Sequence, residues 1–110
     1  MVYFIACIKT DINGKPQRYQ EYIREVEPIV KRFGGRYMVR SDRVTNLSEE
    51  WKPDRVIIIE WDSREQLEQC FRSEEYQKIA GKRENSVDSK AIIVEGSYYE
   101  GNGTGISDTD

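Results

Sequence analysis

The heptapeptide RVIIIEW, residues 55–61, determines which fold this 110-residue chain can adopt. Its β-branched and aromatic side chains predict a strand. Because successive side chains of a strand point to opposite faces, Val56 and Ile58 share one face, while the alternate isoleucines and Trp61 share the other. Both faces of the segment are therefore apolar, which is typical of a strand at the centre of a sheet that is covered on both sides.

The segments around this strand predict an alternation of strands and helices. Residues 2–9, VYFIACIK, and residues 90–96, KAIIVEG, have the composition of further strands. Between residues 16 and 33 apolar side chains recur at gaps of three and four, which predicts one amphipathic helix that opens with a proline. Pro28 lies inside that helix and should kink it or split it near Glu25.

The stretch RFGGRYMVR, residues 32–40, predicts a sharp helix-to-strand corner. Gly34 should adopt the left-handed conformation that ends many helices, and a strand over residues 35–40 begins at once. A structural interpretation makes the two glycines a cap and a close turn. A functional interpretation adds that Gly35 leaves room for a ligand or a partner chain near Tyr37. The two interpretations are compatible, and the sequence leaves both open.

The second half of the chain predicts a loop over residues 41–54, then the 55–61 strand, then helical structure. Ser63 with Gln66 matches a capping box, and Ser73 is expected to cap a further helical segment. Residues 1–96 thus form one predicted domain, and the polar, glycine-rich residues 97–110 form a tail. The order strand, helix, strand, strand, helix, strand predicts an α+β, ferredoxin-like βαββαβ fold with an antiparallel four-stranded sheet of order 4-1-3-2.

Composition excludes several classes of function. The net charge of −3 is untypical of a general nucleic-acid binder, and the isoleucine-rich third strand lacks the aromatic platform of RNA-recognition domains. The chain contains no histidine, so Ser-His-Asp or Cys-His catalysis, a proximal haem histidine and a histidine-based metal site are ruled out. We therefore expect no metal and no cofactor.

The cysteines and the N-terminus indicate the compartment. Cys7 and Cys70 lie in apolar segments without metal-like or redox spacing, which favours buried thiols in a reducing cytoplasm. No apolar run reaches the roughly 20 residues of a membrane helix. The N-terminal segment MVYFIACIK also lacks the basic lead of a signal peptide. We expect a cytoplasmic protein without a membrane partner.

These residues resemble a family within the dimeric α/β-barrel superfamily, a bacterial family of small proteins of unknown function. The resemblance covers about residues 1–96 and is carried by pieces that occur in order, namely Tyr22, Pro28, FGGRY with Val39-Arg40, WKPDR (W-x-P-x-R), Glu60, SEEYQ (S-x-E-Y-Q), Arg83 and Val94-Glu95-Gly96. The chain departs from the family where LSEEW lacks a glycine before Trp51, and the tail lies outside the pattern.

The resemblance implies a homodimer, and the strands give the same expectation independently. Two helices can cover only one face of a sheet, whereas the first and third strands are apolar on both faces. The simplest way to bury the second face is to pack it against the sheet of a second copy. Related families on this fold include cofactor-independent monooxygenases and lactone isomerases, whose ligands lie between the sheet and the helices. Several of those enzymes depend on histidine, which this chain lacks.

The candidate site is built on charged residues near apolar strands. Arg40 ends the second strand and Arg55 opens the third, so pairing of these strands would bring the two guanidinium groups to one end of the sheet. Glu60 is a carboxylate in an apolar strand and needs a partner, for which Arg83 or Arg40 would serve. The structural interpretation of this set is an ion-pair network.

In the functional interpretation, arginine holds a small anionic or carbonyl ligand while Glu60 acts as the catalytic proton carrier. Trp51 would then be a lid, and Tyr37 and Tyr22 would donate hydrogen bonds. Whether these side chains share one face of the sheet is left open by the sequence. The leading hypothesis is a small homodimeric protein that binds or converts a small organic molecule in an intrasubunit cavity. The alternatives are a non-catalytic dimeric stress or scaffold protein and a regulatory ligand-binding domain, so enzymatic activity stays undecided.

Overall fold

The computed structural model describes residues 1–10, 16–84 and 88–96, with the side chains of 16–18 and 84 left aside. The elements in chain order are β1 (Val2–Lys9), α1 (Pro16–Arg32), β2 (Arg36–Ser41), β3 (Arg55–Trp61), α2 (Arg64–Arg72), α3 (Glu74–Glu84) and β4 (Asp88–Glu95). The predicted order of elements is confirmed, with the second helical region divided into α2 and α3. The predicted tail, residues 97–110, lies outside the described residues.

The four strands form one antiparallel sheet of order β2-β3-β1-β4, which confirms the predicted order 4-1-3-2. The pairing places Ile5 of β1 between Ile58 of β3 and Ile92 of β4. Pairing of β2 with β3 shifts between Tyr37 and Val39, which is a β-bulge. Because of the bulge, Tyr37 and Val39 point to opposite faces, whereas unbroken alternation would place them on the same one.

The helices cover one face of the sheet, which we call the inner face. Its side chains include Val2, Phe4, Ala6, Ile8, Tyr37, Ile57, Ile59 and Trp61. The opposite, outer face carries Tyr3, Ile5, Cys7, Val39, Val56, Ile58, Glu60, Ile92 and Val94. The buried core lies between the inner face and the helices, and Trp61 is completely buried within it.

Residues 32–36 form a tight corner for a steric reason. Gly34 has a φ of 96°, as predicted for a left-handed helix cap. A Cβ atom on Gly35 would lie 2.6 Å from Cγ1 of Val30 and 3.0 Å from the ring of Trp61. The space beside Gly35 is thus filled by the chain's own core. The functional interpretation of this glycine, room for a ligand or a partner chain near Tyr37, stays a prediction.

The helix boundaries follow local signals. The Ser63 hydroxyl accepts a hydrogen bond from the backbone N–H of Gln66 (3.2 Å), and the Ser73 hydroxyl accepts one from that of Tyr76 (3.2 Å), which confirms both predicted caps. The predicted split near Glu25 does not occur, since α1 continues through Pro28. Within the described residues, none of the helices combines the length and the hydropathy needed to cross a bilayer.

Candidate functional site

A small cavity lies between the inner face of the sheet and helices α1 and α3. Its volume is about 30 Å³, enough for a water-sized group, which needs roughly 10–15 Å³. The walls are mostly apolar, with Phe4 and Ala6 from the sheet and Ile23 and Val26 from α1. A few polar side chains interrupt this lining, which are Tyr19, Tyr22, Tyr37, Arg83 and Ser89. An apolar cavity with a few convergent polar groups is the usual form of a small-molecule site.

Two tyrosines of the lining are held in their neutral form. The Tyr22 hydroxyl lies 3.1 Å from that of Tyr76 in a buried hydrogen bond, and burial together with this neighbour raises the pKa of Tyr22. Burial also raises the pKa of Tyr37 to about 12, although the nearby Arg40 opposes the shift. Both hydroxyl groups are therefore protonated at neutral pH and serve as hydrogen-bond donors rather than as bases.

One end of the cavity, which we call the polar end, is bordered by Tyr19, Arg55 and Arg83, and it has unsatisfied hydrogen-bond donors. The Tyr19 hydroxyl and the Nε atoms of Arg55 and Arg83 are buried and have no hydrogen-bond partner among the described residues. Burial raises the pKa of Tyr19, while the guanidinium groups of Arg55 and Arg83 lower it. Arg55 is thus close enough to act on the Tyr19 hydroxyl, but no hydrogen bond of good geometry joins the two groups.

The sheet register explains why these groups meet. Ile8 of β1 lines the cavity, and it pairs with Arg55 on β3 and with Ser89 on β4. Paired residues of antiparallel strands lie on the same face. Arg55 and Ser89 therefore flank Ile8 on the inner face, at the end of the sheet over which Tyr19 and Arg83 lie.

Arg40, a predicted ligand-binding residue, lies outside the cavity lining. Its guanidinium donates to Glu27 (3.0 Å) and lies 5.1 Å from the centre of the Tyr37 ring. The Glu27 carboxylate is partly exposed, and hydrogen bonds from Lys31 and Arg40 lower its pKa. Arg40 thus takes part in a surface ion pair at the edge strand and contacts the site only through Tyr37.

Glu60, the predicted catalytic residue, points away from the cavity. Its carboxylate accepts hydrogen bonds from the Tyr3 hydroxyl (3.1 Å) and from Nε of Arg36 (3.1 Å), and Arg36 also binds Asp62 (2.9 Å). Strand alternation explains the position, because Glu60 shares the outer face with Ile58. The predicted convergence of Glu60 with the other site residues is therefore wrong, and the predicted proton transfer has no support from this geometry.

Trp51 does not cover the cavity either. Its ring lies 4.6 Å from Nζ of Lys90 and 5.6 Å from Nζ of Lys9. Lys90 pairs with Cys7 and belongs to the outer face. The predicted lid is wrong for this reason, since Trp51 borders the other side of the sheet.

The structure thus brings together Tyr22, Tyr37 and Arg83 around the cavity, with Arg55 at its polar end. Sequence reasoning missed Tyr19, Tyr76 and Ser89. Tyr19 could have been found, because it lies three residues before Tyr22 on the same helical stripe. Ser89 and Tyr76 needed the strand register and the packing of α3 on α1, which no local pattern encodes.

Comparisons with known proteins identify the family and the fold. The model of the domain of unknown function DUF1330 matches residues 1–97. A protein of unknown function from Rhodopseudomonas palustris is similar in structure, with 18% identity, coverage of 89% of this chain and 83% of that chain, and a TM-score of 0.77.

A putative antibiotic biosynthesis monooxygenase from Nitrosomonas europaea is similar at 17% identity, with coverage of 89% and 100% of the two chains and a TM-score of 0.62. SnoaB, a cofactor-independent oxygenase from Streptomyces nogalater, is similar at 14% identity, with coverage of 89% and 94% and a TM-score of 0.60. Among curated proteins no match was found. The chain belongs to the DUF1330 family of domains of unknown function, and its fold is ferredoxin-like.

Proposed function

We propose that this protein is a homodimer that binds a small organic molecule in the cavity of each subunit, between the sheet and the helices. The observation that carries the proposal is the set of unsatisfied donors on Tyr19, Arg55 and Arg83 beside an apolar cavity. A buried polar group without a partner costs about 1–3 kcal/mol. A bound molecule with acceptor atoms would remove that cost, and the apolar walls would bury its carbon atoms.

The size of the cavity limits how the molecule enters. A volume of about 30 Å³ accepts one functional group and not a whole organic ligand. Four half-buried apolar and aromatic side chains of the lining must move to admit a larger body, namely Phe4, Ile23, Tyr37 and Phe71. Ligand binding in this proposal therefore enlarges the cavity from its apolar side while the polar end stays in place.

We further propose that the protein converts the bound molecule chemically and does so without a cofactor. SnoaB is a cofactor-independent oxygenase with a similar fold, which supports the idea by analogy only. With Glu60 on the other face, the groups that would contact a reacting molecule are the neutral hydroxyls of Tyr22 and Tyr37 and the guanidinium of Arg83. Such groups stabilise negative charge that develops on an oxygen atom, which is a common source of rate enhancement.

The proposed dimer rests on the outer face. Ile92, Val94 and Val39 are 59%, 41% and 39% exposed there, and Ile58 is partly exposed beside them. A contiguous apolar patch of this kind on one chain commonly marks a protein–protein interface. A second copy presents the same patch, so twofold symmetry would let each sheet cover the other.

The test is a fragment screen on two matched variants. Ala6 lines the cavity and is buried, whereas Ala91, its register partner on β4, is exposed and does not line it. Ala6→Val should fill the cavity, and Ala91→Val should leave it open. Ligand-observed NMR with a library of organic acids, amides, ketones and phenols should find compounds that bind the wild type and Ala91→Val but not Ala6→Val.

Circular dichroism and thermal melting of each variant establish that it is folded before the screen is interpreted. If no compound binds the wild type, or if Ala6→Val binds the same compounds equally well, the proposed ligand site is wrong. A dimer with no ligand in its cavity would instead favour the non-catalytic stress or scaffold protein.

A further inference from the structure

The polar end of the cavity carries an excess of positive charge. Arg55 and Arg83 make no ion pair with any described residue, although both have buried Nε atoms. Other arginines of the chain do pair with carboxylates, namely Arg32, Arg36, Arg40, Arg64 and Arg72. Arg24 and Arg43 also lack an ion pair among the described residues, but both are exposed to solvent. Arg55 and Arg83 are thus the two partly buried arginines without a carboxylate partner there, on a chain whose net charge is −3.

The adjacent carboxylate is already engaged. Asp54 precedes Arg55 and acts electrostatically on Tyr19. Its oxygens accept hydrogen bonds from the backbone N–H of Thr10 (3.2 and 3.3 Å) and from the Thr10 hydroxyl (2.5 Å). Asp54 therefore stabilises the end of β1 and forms no ion pair with either arginine.

Building on the proposed function, we propose that the cavity selects a small organic anion, a carboxylate or an enolate, over the corresponding neutral carbonyl compound. The anionic oxygens lie between the guanidinium groups of Arg55 and Arg83 and accept a further hydrogen bond from the Tyr19 hydroxyl. The carbon atoms of the ligand extend along Ile8 toward the apolar wall of the cavity.

The chemistry of these groups favours an anion for two reasons. A guanidinium presents paired N–H donors that match the two oxygens of a carboxylate, and hydrogen bonds between charged groups are roughly twice as strong as neutral ones. A neutral amide bound in the same position would have an NH₂ group in place of one carboxylate oxygen, so that its N–H donors would face the donors of Arg55 and Arg83. It would also leave two partly buried cations without a counter-charge, which is unfavourable in a low-dielectric cavity.

The experiment compares acids with the matching amides. The probes are acetate and propionate against acetamide and propionamide, titrated at pH 7 and constant ionic strength into protein labelled at the isoleucine methyl groups. The methyl resonance of Ile8 reports on the polar end of the cavity. Each acid should bind at least about tenfold more tightly than its amide, the difference expected when charge-assisted hydrogen bonds are lost.

Arginine variants then test which side chains hold the anion. Arg83→Gln and, separately, Arg55→Gln should each weaken acetate binding at least about tenfold. Arg83→Lys keeps the charge without the paired donors and should give an intermediate loss. Arg40→Gln is the matched control, because Arg40 already binds Glu27 and lies outside the lining, and it should leave the affinity unchanged.

Each outcome distinguishes this inference from the proposed function. Equal binding of acids and amides, with Ile8 shifted by both, would overturn the anion selectivity and leave the ligand site in place. Tight binding of acids that survives both glutamine variants would overturn the assignment to these arginines. If acids fail to bind while other compounds of the fragment library occupy the cavity, the inference fails alone. If nothing occupies the cavity, the proposed function fails as well.

Discussion

The inner and outer faces of the sheet are built from the same strands but have different surroundings. On β3, Ile57 and Ile59 of the inner face are 7% and 4% exposed beneath the helices, whereas Ile58 between them is only partly buried. The charged side chains of the two faces also differ in whether they have a partner. Glu60 on the outer face is paired with Arg36, while the Nε atoms of Arg55 and Arg83 on the inner side have no partner among the described residues.

This difference teaches that apolar composition alone does not identify a binding site. The outer face offers a broad, open and apolar surface that suits another sheet. The inner face offers a small, mostly apolar cavity with unsatisfied donors at one end, which suits a small molecule with acceptor atoms. The distribution of unpaired polar groups, rather than that of apolar area, separates the two roles.

The largest effect is expected from a charge on the outer face. Ile58→Glu should convert the dimer to a monomer, because an unpaired carboxylate buried between two sheets costs several kcal/mol, enough to raise the dissociation constant at least about 100-fold. Sedimentation at micromolar concentration should report about twice 12.9 kDa for the wild type and a single chain for the variant.

Leu47→Glu is the control for that variant, since Leu47 is 96% exposed on a loop outside the outer face as defined here. It should leave the dimer intact. A wild type that sediments as a monomer, or an Ile58→Glu variant that remains dimeric, would break the assignment of the outer face to a second copy.

The next effect concerns the corner that brings β2 against the core on the inner side. Gly35→Ala should lower the free energy of unfolding by about 1–3 kcal/mol, because its Cβ would overlap Val30 and Trp61. Gly81→Ala is the matched control. A Cβ there meets no atom within 4 Å, and Gly81 lies inside α3, so the variant should be more stable by roughly 0.5–1 kcal/mol. Urea unfolding measures the free energy of unfolding of both variants. Equal stability of the two would contradict the close packing of Val30 and Trp61 around Gly35.

Burial of tyrosine on the inner side makes stability depend on alkaline pH. The pKa of Tyr37 is raised from 10.0 to about 12 in the folded protein. Since the unfolded chain loses this proton first, the stabilising contribution is complete below pH 10 and is lost as the pH rises toward 12. Tyr22, whose pKa is also raised, acts in the same direction.

Denaturant unfolding between pH 8 and pH 11 should therefore show falling stability of the wild type above about pH 10. Tyr37→Phe should have a shallower decline over the same range. A wild type whose stability is constant up to pH 11, or a Tyr37→Phe variant with an unchanged slope, would show that these hydroxyls are not buried as described.

The smallest effect is expected at Glu60. Glu60→Gln keeps the shape of the side chain and removes its charge, so the loss of the pair with the partly exposed Arg36 should cost less than about 1 kcal/mol. Binding of acetate in the cavity should be unaffected, because the sheet separates the two sites. A large loss of ligand binding in this variant would restore the catalytic role predicted for Glu60 and move the ligand to the outer face.

The fold could be predicted because its signals are local. The apolar stripe of α1, the serines before α2 and α3, Gly34 and the two-sided strands each depend on neighbours in sequence. The site could be predicted only in part. Strand alternation correctly placed Val56 and Ile58 on one face, but it could not say which face the helices cover, and this decided the position of Glu60. The bulge after Tyr37 likewise depends on pairing with β3. Trp51 lies beside two lysines that are distant from it in sequence, Lys9 and Lys90, and no local pattern predicts that contact.

The most direct test of the division between the two faces uses the isoleucine methyl groups as reporters on both. Ile8, Ile57 and Ile59 lie on the inner face, and Ile5, Ile58 and Ile92 lie on the outer face. In one labelled sample, acetate titrated at constant ionic strength should shift the inner methyl resonances and leave the outer ones in place, whereas dilution to the monomer should shift the outer ones. Shifts of the outer methyl groups by acetate, with the inner ones unmoved, would contradict the account.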